Sequence, residues 1–73
     1  MSEHMWQRAQ MLVEETQQKI SKQRDFVEKL ERQGLDARIA RVQLQVWEEA
    51  LVRRVEIRDH MRDRAQAKAA PRP

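Results

Sequence analysis

Two histidines and several carboxylates are the side chains of this sequence that could hold a metal ion or move a proton. Glu56 and His60 stand four residues apart, so on a helix they would share one side and could bind a metal together. The same spacing describes an ordinary surface pair, and the Glu-x-x-His spacing of di-iron bundle sites does not occur. We favour the surface pair, and the sequence predicts neither a metal site nor a cofactor.

The other candidates for catalysis are poorly placed for it. The pairs Glu14-Glu15 and Glu48-Glu49 are adjacent along the chain. Neighbouring residues of a helix point about 100° apart, so neither pair shares a face. Both serines lack a neighbouring base, and a single glycine excludes a glycine-rich phosphate loop. The sequence therefore predicts a protein that is not an enzyme.

Arginine is concentrated toward the C-terminal end, where it could contact the phosphates of a nucleic acid. Residues 53–73 hold seven Lys or Arg against three Asp or Glu. The acidic residues Glu56, Asp59 and Asp63 lie at spacings that suit ion pairs along one helix, so a solvated, ion-paired face is the alternative interpretation. No aromatic residue follows Trp47 to stack on bases. The candidate phosphate contacts are Arg53, Arg54, Arg58 and Arg62.

These side chains belong to a chain whose composition favours helices. Of its 73 residues, 37% are charged and 40% hydrophobic, with one glycine, two prolines and no cysteine. Long helices or a coiled coil are typical of this composition, and the lack of cysteine excludes disulfides and thiolate metal sites. The first residues lack the pattern of a secretory signal, and no apolar run is long enough for a membrane span. We expect a cytoplasmic protein that does not enter a membrane.

The segment LERQGLD predicts a turn between two helices. Gly34 is the only glycine, and it adopts the positive φ that follows many helix ends at little cost. Leu30 and Leu35 then occupy the positions that touch in a Schellman turn, and Asp36 stands where the next helix needs an N-cap. A continuous helix with an isolated glycine is the alternative, and it leaves these capping residues unexplained.

Apolar or small residues recur every three or four positions on both sides of the turn, which predicts an antiparallel helical hairpin. On the first helix they are Trp6, Ala9, Val13, Thr16, Ile20, Val27 and Leu30. On the second helix they are Leu35, Ile39, Val42, Val46, Ala50, Ile57 and Met61. Gln23 and Arg53 interrupt the two stripes. Folding the chain at Gly34 sets Leu30 opposite Ile39, so we expect these stripes to form the seam.

The predicted fold class is therefore all-α. The predicted elements are a helix over about 3–33, a turn at Gly34-Leu35 and a second helix over about 36–66. Residues 1–66 form the hairpin, and residues 67–73 form a disordered tail, because the apolar face has ended and Pro71 cannot continue a helix.

A further set of residues surrounds the turn: a Gln-Arg pair, Leu-Glu-x-x-Gly-x-Asp, an alanine four residues on, and a later Leu, Glu and Arg-Asp pair. Here they are Gln23, Arg24, Leu30, Glu31, Gly34, Asp36, Ala40, Leu44, Glu48, Arg58 and Asp59. Over residues 17–59 the chain resembles a group of short, uncharacterised helical-hairpin proteins that are frequent in proteobacteria, notably rhizobia and their relatives. The resemblance implies a bacterial helical hairpin with no established activity.

The second helix is apolar over a wider arc in residues 39–51 than one neighbouring helix can cover. A second stripe lies roughly 120° around the helix from the predicted seam, and the first helix is apolar toward the same side. Three interpretations remain open: Trp47 folds over the seam, the stripe binds a different protein, or two copies of the chain associate through it. The residues of this predicted interface are Leu12, Phe26, Ala40, Leu44, Trp47 and Leu51.

We predict a small helical protein that acts by binding. Two-fold association into a four-helix bundle would give the hairpin the second layer that a core needs. The homodimer would serve as an interaction or scaffold module that also binds a protein partner. The alternative is a nucleic-acid-binding accessory protein that uses the Arg-rich face of the second helix.

Overall fold

The computed structural model of the chain describes the backbone of residues 2–69 and the side chains of residues 5–67. It contains helix α1, Ser2–Arg32, and helix α2, Arg38–Ala69, which pack against each other. Gln23 meets Ala40 near the turn, whereas Gln10 meets Arg58 far from it, so the helices run in opposite directions. The predicted all-α hairpin is confirmed.

The turn is a Schellman motif at Gly34, as the sequence predicts. Gly34 has a φ of 70°. Its N–H donates to the carbonyl of Glu31 at 3.0 Å, and the N–H of Leu35 donates to the carbonyl of Leu30 at 2.9 Å. These two bonds define the motif, and they satisfy carbonyl groups that the end of α1 would otherwise leave without a partner.

Asp36 caps the first turn of α2. Its Oδ1 accepts a hydrogen bond from the backbone N–H of Arg38 at 3.0 Å, and its Oδ2 accepts one from Nη2 of the same arginine at 2.8 Å. The Arg38 side chain first, and its backbone N–H second, hold the pKa of the Asp36 carboxyl below its ordinary value. Helix α2 begins at Arg38, slightly later than expected, because its first helical hydrogen bond runs from the N–H of Arg41 to the carbonyl of Ala37.

Helix α1 turns its predicted stripe toward α2, which confirms that half of the seam. Its buried members are Ala9, Val13, Thr16, Ile20 and Val27. Its half-buried members are Trp6, Gln23 and Leu30. Thr16 has no exposed surface and Val13 is 1% exposed, so the best-packed part of the seam lies between these two residues.

The predicted seam of α2 is wrong for most of its residues, because this helix meets α1 through its other apolar stripe; of the predicted residues only Ala50 and Met61 are half-buried. Ile39 is 85% exposed, and Val42 and Val46 are 62% and 56% exposed. Ile57 is also exposed, so it does not pack opposite Val13 as expected. Ala37, just before α2, is buried at the seam. The side chains of α2 that are buried or half-buried there are Ala40, Leu44, Trp47, Leu51, Arg54 and Arg58.

Polar groups on α1 explain why this stripe of α2 forms the seam. The Gln23 amide donates to the backbone carbonyl of Ala40 at 3.0 Å. The Arg54 guanidinium donates to the Thr16 hydroxyl, which itself donates to the carbonyl of Leu12 at 2.7 Å. A buried polar group without a partner costs about 1–3 kcal/mol. In the expected seam, a valine would have faced Gln23. In the observed seam, the Gln23 amide and the Arg54 guanidinium both have hydrogen-bond partners on the other helix.

Helix α2 continues through Ala69, past its predicted end near residue 66. Residues 70–73 of the predicted tail lie outside the described residues, so the disorder of the tail stays a prediction.

Candidate interaction surface

Polar contacts between the helices run along one side of the hairpin. The pairs are Arg24–Glu48, Arg58–Gln10 and Arg41–Glu31. The Arg24 Nη2 to Glu48 Oε2 distance is 2.9 Å, and the Arg58 Nη1 to Gln10 Oε1 distance is 2.8 Å. At 100° per residue, the three α1 members of these pairs fall on the same side of that helix. This side of the hairpin is therefore bridged at three places by hydrogen bonds and ion pairs.

The four predicted phosphate contacts have different surroundings. Arg54 and Arg58 extend across the seam to α1. Asp59 accepts hydrogen bonds from Arg58 at 2.8 Å and from Arg62 at 3.4 Å. Arg53 is exposed. A phosphate would have to compete with existing partners at three of these four side chains, and nucleic-acid binding stays an untested alternative.

Four of the six residues of the predicted interface lie in the hairpin seam. Ala40 is buried against Val27 together with Ala37, and Leu44 packs on that cluster. Leu51 is half-buried.

Trp47 is also half-buried, and Lys19 Nζ of α1 lies 4.6 Å from its ring centroid in a cation–π contact. Of the three interpretations of the wide apolar arc, the one in which Trp47 folds over the seam agrees with its position. The prediction that the hairpin leaves the stripe of Trp47 uncovered is therefore wrong.

Helix α2 leaves five large hydrophobic residues exposed, of which Ile39, Val42 and Val46 form a stripe, here called the exposed stripe; the other two are Val52 and Ile57. The members of the exposed stripe are spaced by three and four residues, so they lie on consecutive turns of one side of the helix. All three are β-branched and largely exposed. Their spacing identifies them as an apolar stripe in the sequence, but spacing alone does not tell whether the stripe faces α1 or solvent.

Leu12 and Phe26 of helix α1 are exposed, as the sequence predicts, and so are Met5 and Met11. Leu12 lines a shallow groove with Ala9, Arg54 and Ile57, so it shares one side of the hairpin with an exposed residue of α2.

The described part of the chain has open grooves and no clustered metal-ligating side chains. A groove of about 570 Å³ is open to solvent and is lined partly by the ion pair Arg24–Glu48. Among residues 5–67, no group of three or more His, Asp or Glu side chains could hold a metal ion, and Glu56 and His60 are both exposed. No described helix is sufficiently long and apolar to cross a membrane.

The fold and this surface define a class: a two-helix hairpin with one side bridged by polar contacts and an aliphatic stripe open to solvent. Comparison of the chain with protein-family models, curated proteins and solved structures gave no match. The resemblance around Gly34 to proteobacterial hairpin proteins therefore stays a prediction.

Proposed function

We propose that this protein is a non-enzymatic helical interaction module that self-associates through the exposed stripe. The observation that carries the proposal is the exposure of Ile39, Val42 and Val46 on consecutive turns of α2. Two copies joined there bring four helices together. The dimer then acts as a scaffold in the bacterial cytoplasm, and Leu12 and Phe26 remain available to a protein partner.

The composition of the hairpin core supports the need for a second layer. Its buried hydrophobic residues are mostly small: Ala9, Val13, Ile20, Val27, Ala37 and Ala40. Many larger hydrophobic side chains are exposed instead. Two helices that touch along one line form a single layer, whereas a stable domain packs at least two layers around a core. A chain of 73 residues is already near the lower limit for burying a core alone.

The area of the exposed stripe suits a modest interface. Covering the three side chains and their neighbours on two copies buries on the order of 1,000 Å², which is near the lower limit for a specific protein–protein contact. Loss of translational and side-chain freedom offsets much of the gain from burial. We therefore expect a dissociation constant on the order of micromolar.

A matched pair of variants tests the proposed surface. Val42→Glu places a charge in the exposed stripe, whereas Val52→Glu places the same charge on the same helix but off the stripe. Val42 and Val52 have nearly equal exposure, 62% and 59%, so both changes should be tolerated by the hairpin itself. Size-exclusion chromatography with light scattering should show that Val42→Glu raises the dissociation constant at least about tenfold, while Val52→Glu leaves the dimer intact.

Other results would contradict the proposal. If Val42→Glu and Val52→Glu dimerise equally well, the exposed stripe is not the interface. If the unmodified chain shows no dimer at tens of micromolar, self-association itself is wrong, and the stripe would have to be assigned to a different protein.

A further inference from the structure

We infer that a different protein docks on the half of the hairpin far from the turn, where an apolar patch bordered by arginines fits an amphipathic helix with acidic flanks. This inference rests on the proposed function only in that the protein binds a partner, and it does not depend on self-association. It follows from three grooves that adjoin one another in the structure.

The three grooves share lining residues and therefore form one surface. Leu12 lines the first groove, which crosses from α1 to Ile57 of α2. Leu12 also lines the second groove, and Arg8 and Met11 belong to both the second and the third. Met5 lines the third groove. We call this surface the open-end patch, and its exposed hydrophobic members are Met5, Met11, Leu12 and Ile57.

The open-end patch is distinct from the exposed stripe. On α2, Ile57 is eleven residues beyond Val46, which is about 16 Å along the helix. The exposed stripe belongs to α2 alone, whereas the open-end patch includes side chains of both helices. A second copy at the stripe and a partner at the patch therefore use different side chains.

Basic side chains border the open-end patch, and the carboxylates of the same segment of α2 point elsewhere. At 100° per residue, three arginines fall within about 60° of Ile57, whereas three carboxylates fall about 100° or more away. The arginines are Arg53, Arg54 and Arg64, and the carboxylates are Glu56, Asp59 and Asp63. On α1, Arg8 and one acidic residue, Glu15, line the second groove. The complementary surface is therefore apolar at its centre and acidic at its edges.

A helix fits this surface better than an extended peptide does. The first groove lies between two antiparallel helices, and the side chains of a third helix can pack into such a groove. Leu12 and Ile57 lie well inside α1 and α2, where backbone groups are already bonded within each helix, so an added strand finds no main-chain partners there. Met5 and Met11 contribute flexible side chains that adapt to the shape of a partner.

A membrane surface fits the open-end patch less well. Helices that bind at a membrane surface insert a wide apolar face, often with aromatic residues, between the lipids. Here Leu12 and Ile57 are 46% and 51% exposed, so about half of each is covered by the hairpin itself. Trp6 and Trp47 are both half-buried. The patch is thus a shallow groove that suits an inserted side chain, and it lacks the protruding residues that enter a bilayer.

Two synthetic peptides test the inference on the full chain. Both have about 18 residues, leucine at steps of three and four, and a fluorescent label; the flanking residues are glutamate in one and lysine in the other. Fluorescence anisotropy at about 100 mM salt should show at least about tenfold tighter binding of the glutamate peptide, and added salt should reduce the difference. Equal binding of both peptides, or no binding of the glutamate peptide at about 100 µM, would overturn the inference.

A matched pair of variants locates the binding. Ile57→Glu places a charge in the open-end patch, whereas Val52→Glu places the same charge about 140° around α2. The two residues are 51% and 59% exposed, and circular dichroism should show that both variants keep the helicity of the unmodified chain. Ile57→Glu should weaken binding of the glutamate peptide at least about tenfold, and Val52→Glu less than about twofold. Equal affinities of the two variants would overturn the inference.

A second pair keeps the test valid if Ile57→Glu alters the fold. Arg8→Glu reverses a charge at the patch, and Lys22→Glu reverses one at an exposed position of α1 outside it. Arg8→Glu should weaken binding of the glutamate peptide about threefold to tenfold, and Lys22→Glu less than about twofold. Equal effects would show that the overall charge of the chain attracts the peptide, which overturns the inference.

Light scattering separates this inference from the proposed self-association. Ile57→Glu should leave the dimer intact; its loss would make the patch a contact between copies, which overturns the inference and keeps self-association. A monomeric chain that binds the glutamate peptide at Ile57 would support the inference and overturn self-association. Vesicles of phosphatidylglycerol and phosphatidylcholine are the remaining probe: if they bind the unmodified chain but not Ile57→Glu, and the glutamate peptide does not bind, the patch is a membrane contact and the inference is overturned.

Discussion

Replacing Gly34 by valine tests the turn on which the hairpin depends. At this position φ is 70°, a conformation that glycine adopts freely and that an L-residue with a Cβ resists. The Schellman bonds from Gly34 to Glu31 and from Leu35 to Leu30 require this conformation. The variant must therefore either accept a strained backbone or lose the turn.

The size of the effect follows from the space around Gly34. A Cβ added there meets no other atom within 4 Å, so no steric clash contributes. The remaining term is the backbone strain, which is about 1–2 kcal/mol, with β-branched valine at the upper end. For a domain of this size, each kcal/mol lowers the melting temperature by about 4–8 °C.

Thermal unfolding followed by circular dichroism measures this difference. Gly34→Asn is the matched control, because asparagine tolerates the left-handed region better than valine does and should melt between the variant and the unmodified protein. All samples must have the same chain concentration, since association makes the melting temperature depend on concentration. Unchanged melting of Gly34→Val would refute this reasoning and favour a continuous helix in solution.

Two further predictions concern the seam and the cap. Val13→Ala removes part of a side chain that is 1% exposed and should destabilise the hairpin by about 2 kcal/mol in denaturant unfolding, whereas Val52→Ala should change little; equal effects would contradict the assignment of the seam. The folded-state pKa of Asp36 is lowered, so its stabilising contribution is present at neutral pH and is lost as the pH falls through that pKa. Stability should therefore decrease on acidification below about pH 4, and Asp36→Asn should reduce this dependence; an identical pH profile would exclude the carboxylate as a contributor.

The turn could be predicted from the sequence because its determinants are local. Leu30, Gly34, Leu35 and Asp36 lie within seven consecutive residues, and each has a role that depends only on its distance from the helix end. The stripe of α1 could be predicted for a similar reason, since this helix carries one dominant apolar face.

The seam of α2 could not be predicted in the same way, because this helix carries two apolar stripes. Hydrophobicity favoured the one that contains Ile39, Val42 and Val46. The choice is instead decided by contacts between residues distant in sequence, such as the Gln23 amide with the Ala40 carbonyl and the Arg54 guanidinium with the Thr16 hydroxyl. Periodicity contains no information on these pairs.

The sequence therefore predicts that an apolar interaction surface exists on α2, but it predicts the wrong residues for it. The sequence indicated that α2 has more apolar surface than one neighbour can cover, and the structure shows such a surplus. The surplus lies in the stripe of Ile39 and not, as predicted, in the stripe of Trp47, because only one stripe can face α1. Leu12 and Phe26 are exposed, which agrees with their predicted positions on α1.

Sedimentation equilibrium of the unmodified chain tests the central claim most directly. At about 50 µM, well above a micromolar dissociation constant, we expect a mass of twice the 8.8 kDa chain, falling toward the monomer on dilution. A single species of 8.8 kDa that melts cooperatively at that concentration would contradict the proposal that the exposed stripe is covered by a second copy.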